Sequence, residues 1–178
     1  MQNNKVKKLA YCAMCLALAV VTNAITIFSL PNGGSITPCS MLFASLPGFF
    51  FGPAYGIVSG VAFGVLNFIL KPYFYTPLQF ICDYILAFGA LGLSGLFAEK
   101  KNGLYIGYIV GCLGRFFFSF LSGVLFFAEY APEGMSPAVY SAGYNISYIG
   151  IEMVLTLIIL AVPAVRSALQ MVKNNAKA

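Results

Sequence analysis

The stretch PAVYSAGYNISYIGIEMVLTLIILAVPAV, residues 137–165, decides the fold. It is long enough to cross a bilayer, which takes about 20 mostly apolar residues in a helix. Tyr140, Tyr144, Tyr148 and Glu152 recur every four residues in it, so they share one helix face, and Asn145 sits beside them. Polar and ionisable groups at membrane depth are costly and usually face a bundle interior, a cavity or a ligand. The stripe therefore says that this chain holds something polar inside a membrane.

Working outward, the 178-residue chain is 60% hydrophobic and 8% charged, with a mean hydropathy of +0.88. Soluble domains carry about 25% charged residues, so the class is all-α integral membrane protein. The absence of His removes His-based catalytic triads and HExxH zinc sites. No metal site, cofactor or catalytic residue is expected, although a membrane enzyme using Asp83 or Glu152 is a rival. The five cysteines, Cys12, Cys15, Cys39, Cys82 and Cys112, read as small buried hydrophobes. The net charge of +5 does not point to nucleic acid, because the basic residues gather at the termini and in one loop. The apolar run after Lys5, Lys7 and Lys8 is too long for the ~7–15-residue core of a secretory signal, so it reads as a first membrane helix.

Six membrane helices are expected, over approximately 6–28, 39–51, 54–70, 77–97, 104–127 and 137–165, in a single membrane domain spanning 1–178. With the N-terminus inside, Lys5, Lys7, Lys8, Lys100, Lys101, Arg166, Lys173 and Lys177 are cytoplasmic and only Lys71 is external, eight against one. That bias places both termini in the cytoplasm.

Depth follows from the ~1.5 Å rise per helical residue. Asp83, Tyr140, Tyr144, Asn145, Ser119 and Ser122 then fall in the outer half, with Arg115 near the middle on the Ser119 face. A carboxylate, an amide and several tyrosines suit a flat, cationic, hydrogen-bonding heterocycle. Each group also has a plain structural reading. Asp83 either faces a ligand or pairs with Arg115. Glu152 is the deeper counter-ion expected for Arg115 in a structural ion pair. Asn145 contacts ligand or joins helices, and the tyrosine stripe lines a site or fills a core. Ala10, Ala13 and Ala17 make a small-residue face that either packs within the bundle or docks a second membrane protein.

The runs Gly33-Gly34-Ser35-Ile36-Thr37, Lys71-Pro72-Tyr73-Phe74, Asp83-Tyr84-Ile85-Leu86-Ala87-Phe88-Gly89-Ala90-Leu91-Gly92 and Tyr130-Ala131-Pro132-Glu133-Gly134-Met135 resemble the ThiT family. So does Tyr140 followed five residues later by Asn145. The family comprises thiamine-specific S components of energy-coupling factor (ECF) transporters. The resemblance covers nearly the whole chain. It implies a six-helix S-component fold in the bacterial cytoplasmic membrane, with an outward-facing vitamin pocket. It also implies a membrane scaffold protein and two ATPase subunits as partners. The S component has no nucleotide site of its own, and no GxxxxGK[ST] occurs here. By position, Asp83, Tyr84, Tyr140 and Asn145 would touch ligand, with Tyr73 and Phe127 as aromatic walls. Gly33, Gly34, Ser35 and Thr37 would belong to a lid, and Ala13 and Ala17 would meet the scaffold. Ser119 stands where the family commonly has His, Trp is absent from the lid and from position 127, and Asp83 replaces a Glu of some members. Tyr144 and Tyr148 are the residues expected to compensate at the Ser119 side. The rivals are an S component for another heterocycle, such as a thiamine fragment or analogue, and a purely structural subunit.

Overall fold

The computed structural model describes residues 2–178. The chain runs through α1 (Gln2–Ala24), a hairpin of β1 (Phe28–Ser29) and β2 (Ser35–Ile36), α2 (Ser40–Phe51) and α3 (Pro53–Leu70). It continues through α4 (Pro77–Phe97), α5 (Gly103–Phe126), α6 (Pro137–Ala161) and α7 (Pro163–Lys177). Among the described residues five helices, α1 (from Asn4), α3, α4, α5 and α6, are long and apolar enough to cross a membrane. The expected second span is a shorter case: α2 has 12 residues, about 18 Å at 1.5 Å each. It is also the most enclosed helix, with ten of its residues buried.

Two glycine seams hold α4 between its neighbours. On α3, Gly56, Gly60 and Gly64 recur every four residues against the α4 backbone. A methyl group on Gly56 would sit 2.7 Å from the Gly92 Cα, and one on Gly64 would run into the Tyr84 carbonyl. On α5, Gly103, Gly107 and Gly111 face the carbonyls of Phe97, Ser94 and Leu91. Small residues at such spacing let backbones approach closely. The seams therefore fix the depth and rotation of the helix that carries Asp83 and Tyr84.

Both α4 and α6 contain a π-helical turn, at Ile81–Leu86 and Ile146–Gly150. Such turns are frequent at functional sites. In a regular α-helix a step of four residues overshoots a full turn by ~40°. The wider π turn in α6 reduces that drift and keeps Tyr144, Tyr148 and Glu152 facing one way.

The ends of two expected helices fall elsewhere. The first stops at Ala24 rather than Phe28, and the chain then forms the hairpin, pairing Phe28 with Ile36 and Ser29 with Ser35. The helix expected to reach Val165 breaks at Val162, whose ψ of 118° precedes Pro163. This follows from the clash between a proline ring and a preceding α-helical residue. The chain folds back as α7, which sets Val165, Leu169, Lys173 and Ala176 against the bundle. Lys173 and Lys177 of α7 reach Glu99 at 3.5 and 2.6 Å. The Lys177 hydrogen bond, helped by Lys173, holds the Glu99 carboxyl below the usual range.

On α1, Cys12, Cys15 and Ala19 are buried, whereas Ala10, Ala13 and Ala17 are exposed. The small-residue face is thus not used inside this bundle. All five cysteines are free thiols.

Candidate ligand-binding site

A cavity of about 520 Å³ opens between α4, α5, α6, the hairpin and the 71–73 loop. Asp83, Tyr84, Ser119, Phe127, Tyr140, Tyr144, Asn145, Tyr148 and Tyr73 all line it, as do Arg115, Glu152, Gly33, Gly34, Ser35 and Thr37. Among the expected site residues only Ala13 and Ala17 lie elsewhere.

The carboxylate is placed by a helix start. Thr76 caps α4 by accepting from the Gln79 N–H at 3.1 Å, the capping pattern of a Thr followed three residues later by Gln. One turn on, Gln79 Nε2 donates to Asp83 Oδ2 at 2.7 Å. The Gln79 carbonyl in turn accepts from the Tyr75 N–H at 3.2 Å. Gln79 is 1% exposed and was not anticipated as a site residue. The Thr76-x-x-Gln79 spacing and the four-residue step to Asp83 were its signal. No hydrogen bond to Asp83 Oδ1 is formed among the described residues, and the Ser122 hydroxyl lies close to the same carboxyl.

Aromatic rings form the walls. Tyr73 lies 5.8 Å from Phe127, centroid to centroid. Tyr140 stacks on Tyr144 at 6.1 Å, and Tyr144 meets Tyr148 edge-on at 5.7 Å. The Tyr84 hydroxyl is tied to the Tyr73 backbone N–H at 3.2 Å. Burial, reinforced by the Tyr130 hydroxyl, pushes the Tyr73 phenol up to about 12. That wall therefore stays neutral at physiological pH.

Asn145 lines the cavity, but its amide is engaged within the bundle. Nδ2 donates to the Ser141 carbonyl at 2.9 Å, and Oδ1 accepts from the Tyr148 hydroxyl at 2.8 Å. Its visible work is to aim Tyr148. Ser119 is buried, and its carbonyl faces the same amide at 3.4 Å.

The expected Arg115–Glu152 ion pair is not formed. Among the described residues no carboxylate lies within 4.0 Å of the Arg115 guanidinium. The guanidinium instead sits 4.3 Å over the Phe88 ring, and its buried Nε lacks a partner. A desolvated cation on an aromatic face gains roughly 2 kcal/mol, which lessens the need for a counter-ion. Glu152 is 3% exposed and bonds to the chain leaving the hairpin. It accepts from Thr37 Oγ at 2.7 Å, Ser40 Oγ at 3.0 Å and the Met41 N–H at 2.9 Å. Its charge thus faces the N-terminus of α2, where carboxylates are favoured.

The hairpin is latched to α6. Gly34 N–H donates to the Tyr144 hydroxyl at 2.8 Å, and that hydroxyl donates to the Pro31 carbonyl. A methyl group on Gly34 would sit 2.7 Å from the Tyr144 oxygen, so only glycine permits this approach. Asn32 and Gly33 turn the chain at φ of 63° and 92°. Lys71 anchors the base of the hairpin through the Asn23 carbonyl and the Thr26 hydroxyl, at 2.9 and 3.2 Å. Replacing Tyr144 with Phe should cut the latch at both bonds. At about 1–3 kcal/mol for a buried donor left alone, release of a bound ligand should quicken roughly 5- to 150-fold in stopped-flow fluorescence. An unchanged release rate would show that the hairpin does not retain the ligand.

A family model described as thiamine transporter protein (Thia_YuaJ) matches residues 9–172. The chain is similar to the thiamine transporter ThiT of Bacillus subtilis (strain 168), 29% identical over 175 residues, covering 89% of this chain and 91% of that one. It is similar to the thiamine transporter ThiT of Lacticaseibacillus paracasei, 33% identical over 121 residues, 58% of this chain and 60% of that one. A solved structure of ThiT from Listeria monocytogenes superposes with a TM-score of 0.76 at 24% identity, covering 90% of this chain and 96% of that one. These relatives are named for transport rather than catalysis, which removes the membrane-enzyme reading. The chain belongs to the thiamine transporter protein family.

Proposed function

We propose that this chain is the substrate-binding S component of an ECF-type vitamin importer and binds thiamine in its aromatic-walled cavity. The observation that carries the reading is Asp83, a carboxylate with one oxygen bonded to Gln79 and the other making no hydrogen bond among the described residues, inside a cavity walled by tyrosines. Thiamine offers the complement: a cationic thiazolium for the carboxylate and ring faces, and an aminopyrimidine for hydrogen-bonding groups. The Arg115 cation is held on Phe88, so it does not neutralise Asp83 by direct pairing.

Six spans with both termini in the cytoplasm fit the charge distribution, with α2 as the short sixth helix. The cavity then opens outward, at the end that holds Lys71, away from the Lys100-Lys101 loop. Ligand enters from outside, and the latched hairpin acts as its lid. The exposed Ala13 and Ala17 dock on a membrane scaffold protein, and two ATPase subunits supply the energy that this chain, lacking a GxxxxGK[ST] motif, does not.

The test separates binding from transport. The purified chain should bind thiamine but not accumulate it in vesicles until scaffold and ATPase subunits are added. Ala13→Trp or Ala17→Trp should leave binding intact and abolish the assisted uptake. ATP-driven uptake by the chain alone, or normal uptake by the Trp variants, would overturn the assignment of subunit role or docking face.

A second ligand reading rests on Ser119, buried in the cavity wall where the family commonly places an imidazole. If the cavity is shaped for thiamine, Ser119→His should bind it at least as tightly, since an aromatic contact gains about 1–3 kcal/mol. Loss of the natural ligand in that variant would assign the space to a group that thiamine lacks, and hence to an analogue.

A further inference from the structure

A second, smaller cavity of about 170 Å³ lies at the opposite end of α4, some 30 Å along a 21-residue helix from its start near the first. It is formed where α7 folds back onto the loop between α4 and α5. Lys100, Lys101, Arg166 and Lys173 line it, with Glu99 as the one carboxylate. Glu99 is already shared, at 3.5 Å by Lys173 and 2.6 Å by Lys177. Among the described residues no carboxylate lies within 4.0 Å of Lys100, Lys101 or Arg166. Arg166 rests 5.6 Å over the Tyr105 ring and Lys100 5.2 Å over Phe97, which orients both exposed cations along the rim of the cleft. The first turn of the 24-residue α5 also opens here, and Asn102 gives it no side-chain cap.

Membrane topology accounts for cations in a loop, but not for a concave cluster of them. Arg166 and Lys173 reach Lys100 and Lys101 only because the break at Val162-Pro163 returns α7 to the bundle. Glu99, shared by Lys173 and Lys177, leaves Lys100, Lys101 and Arg166 without a carboxylate within 4.0 Å among the described residues, and an anion in the cleft would relieve their mutual repulsion. Just inside the membrane from the cleft, Leu96 is 58% exposed and Ile106 39% exposed. An apolar chain can lie there while a headgroup occupies the cleft.

We propose that this cleft binds a phosphate-bearing anion, with an anionic phospholipid headgroup as its source. Basic pockets at the ends of membrane helices recognise such headgroups, each cation contributing about fivefold in affinity. A bound lipid would pin α7 to the Lys100-Lys101 loop independently of ligand in the first cavity.

The purified full chain in a neutral detergent tests this by native mass spectrometry and thermal unfolding, with phosphatidylglycerol, phosphatidylcholine or inorganic phosphate added. Phosphatidylglycerol should be retained and should raise the melting temperature, and phosphatidylcholine should do neither. Lys101→Gln with Arg166→Gln should weaken retention about fivefold per cation removed, while Lys101→Arg with Arg166→Lys keeps it. Thiamine binding should be unchanged in both variants, since neither residue lines the first cavity. A shift given by millimolar phosphate and not increased by the lipid supports the phosphate chemistry with a soluble source, and rejects the headgroup. Equal retention of both lipids by the parent chain and the Gln variant overturns the proposal. So does capture of an ATPase subunit through these cations with no lipid preference, which would assign the face to a protein partner.

Discussion

Asp83→Asn should abolish high-affinity thiamine binding while leaving the fold intact. Removing one partner of a desolvated charge pair costs about 2–5 kcal/mol, roughly a thirty- to several-thousand-fold loss of affinity. The fold should survive because Asp83 makes no ion pair within 4.0 Å among the described residues. An asparagine oxygen can still accept from Gln79 Nε2 as Asp83 Oδ2 does now at 2.7 Å. Titration calorimetry alongside thermal unfolding in detergent separates the two effects. A ligand of the same shape without the positive charge should lose far less. If the variant unfolds readily and its residual ligand preference is unchanged, Asp83 is a structural residue.

Glu152→Ala should do the reverse and strike stability first. The carboxylate receives the Thr37 and Ser40 hydroxyls and the Met41 N–H, all buried. A buried donor left without a partner costs about 1–3 kcal/mol. The Thr37 hydroxyl can still reach Ser40 at 2.7 Å, so a net loss of roughly 3 kcal/mol is expected. At ~2–4 °C per kcal/mol for a chain of this size, the melting temperature should fall by roughly 6–12 °C. Glu152→Gln keeps one acceptor and should fall by less. An Ala variant that melts like the parent chain would mean that the hairpin and α2 are held by packing alone.

The contrast between these two carboxylates shows what a sequence can and cannot reveal. Both are ionisable residues in apolar helices, and that alone marks both as purposeful. The four-residue stripe from Tyr140 to Glu152 is legible because helix periodicity is local. Depth and helix face place Asp83, Ser119, Tyr140, Tyr144 and Asn145 in one region, and they line one cavity. Tyr73, Tyr84 and Phe127, which also line it, are offered only by the family resemblance, and Ser122, on the same face as Ser119, does not line it. The partners of Glu152 were not legible. They lie 111 to 115 residues away, and the contact depends on how the hairpin returns the chain to α2. Arg115 was assigned a carboxylate because a buried cation demands compensation, and Phe88 supplied it through a ring face instead. Asn145 had two readings, ligand contact or a link between helices; it lines the cavity, while its amide bonds Ser141 and Tyr148 of its own helix. Spacing cannot say which of two polar neighbours an amide will choose.

Other features of the fold are also written in the sequence. Gly56, Gly60 and Gly64, and again Gly103, Gly107 and Gly111, spell the two seams that position α4. The Val162-Pro163 step marks the end of α6, but the apolar run continues through it and masked the break. The α7 pattern of Val165, Leu169, Lys173 and Ala176 mixes a lysine into its buried face, so hydrophobicity alone does not outline it.

The central claim is that the cavity around Asp83 is a thiamine site, and direct calorimetric titration of thiamine into the purified, ligand-free chain tests it. The account predicts a saturable transition with one thiamine per chain, weakened at least thirtyfold by Asp83→Asn. No heat of binding in a chain that is folded by its thermal transition, or binding that Asp83→Asn leaves untouched, would contradict it.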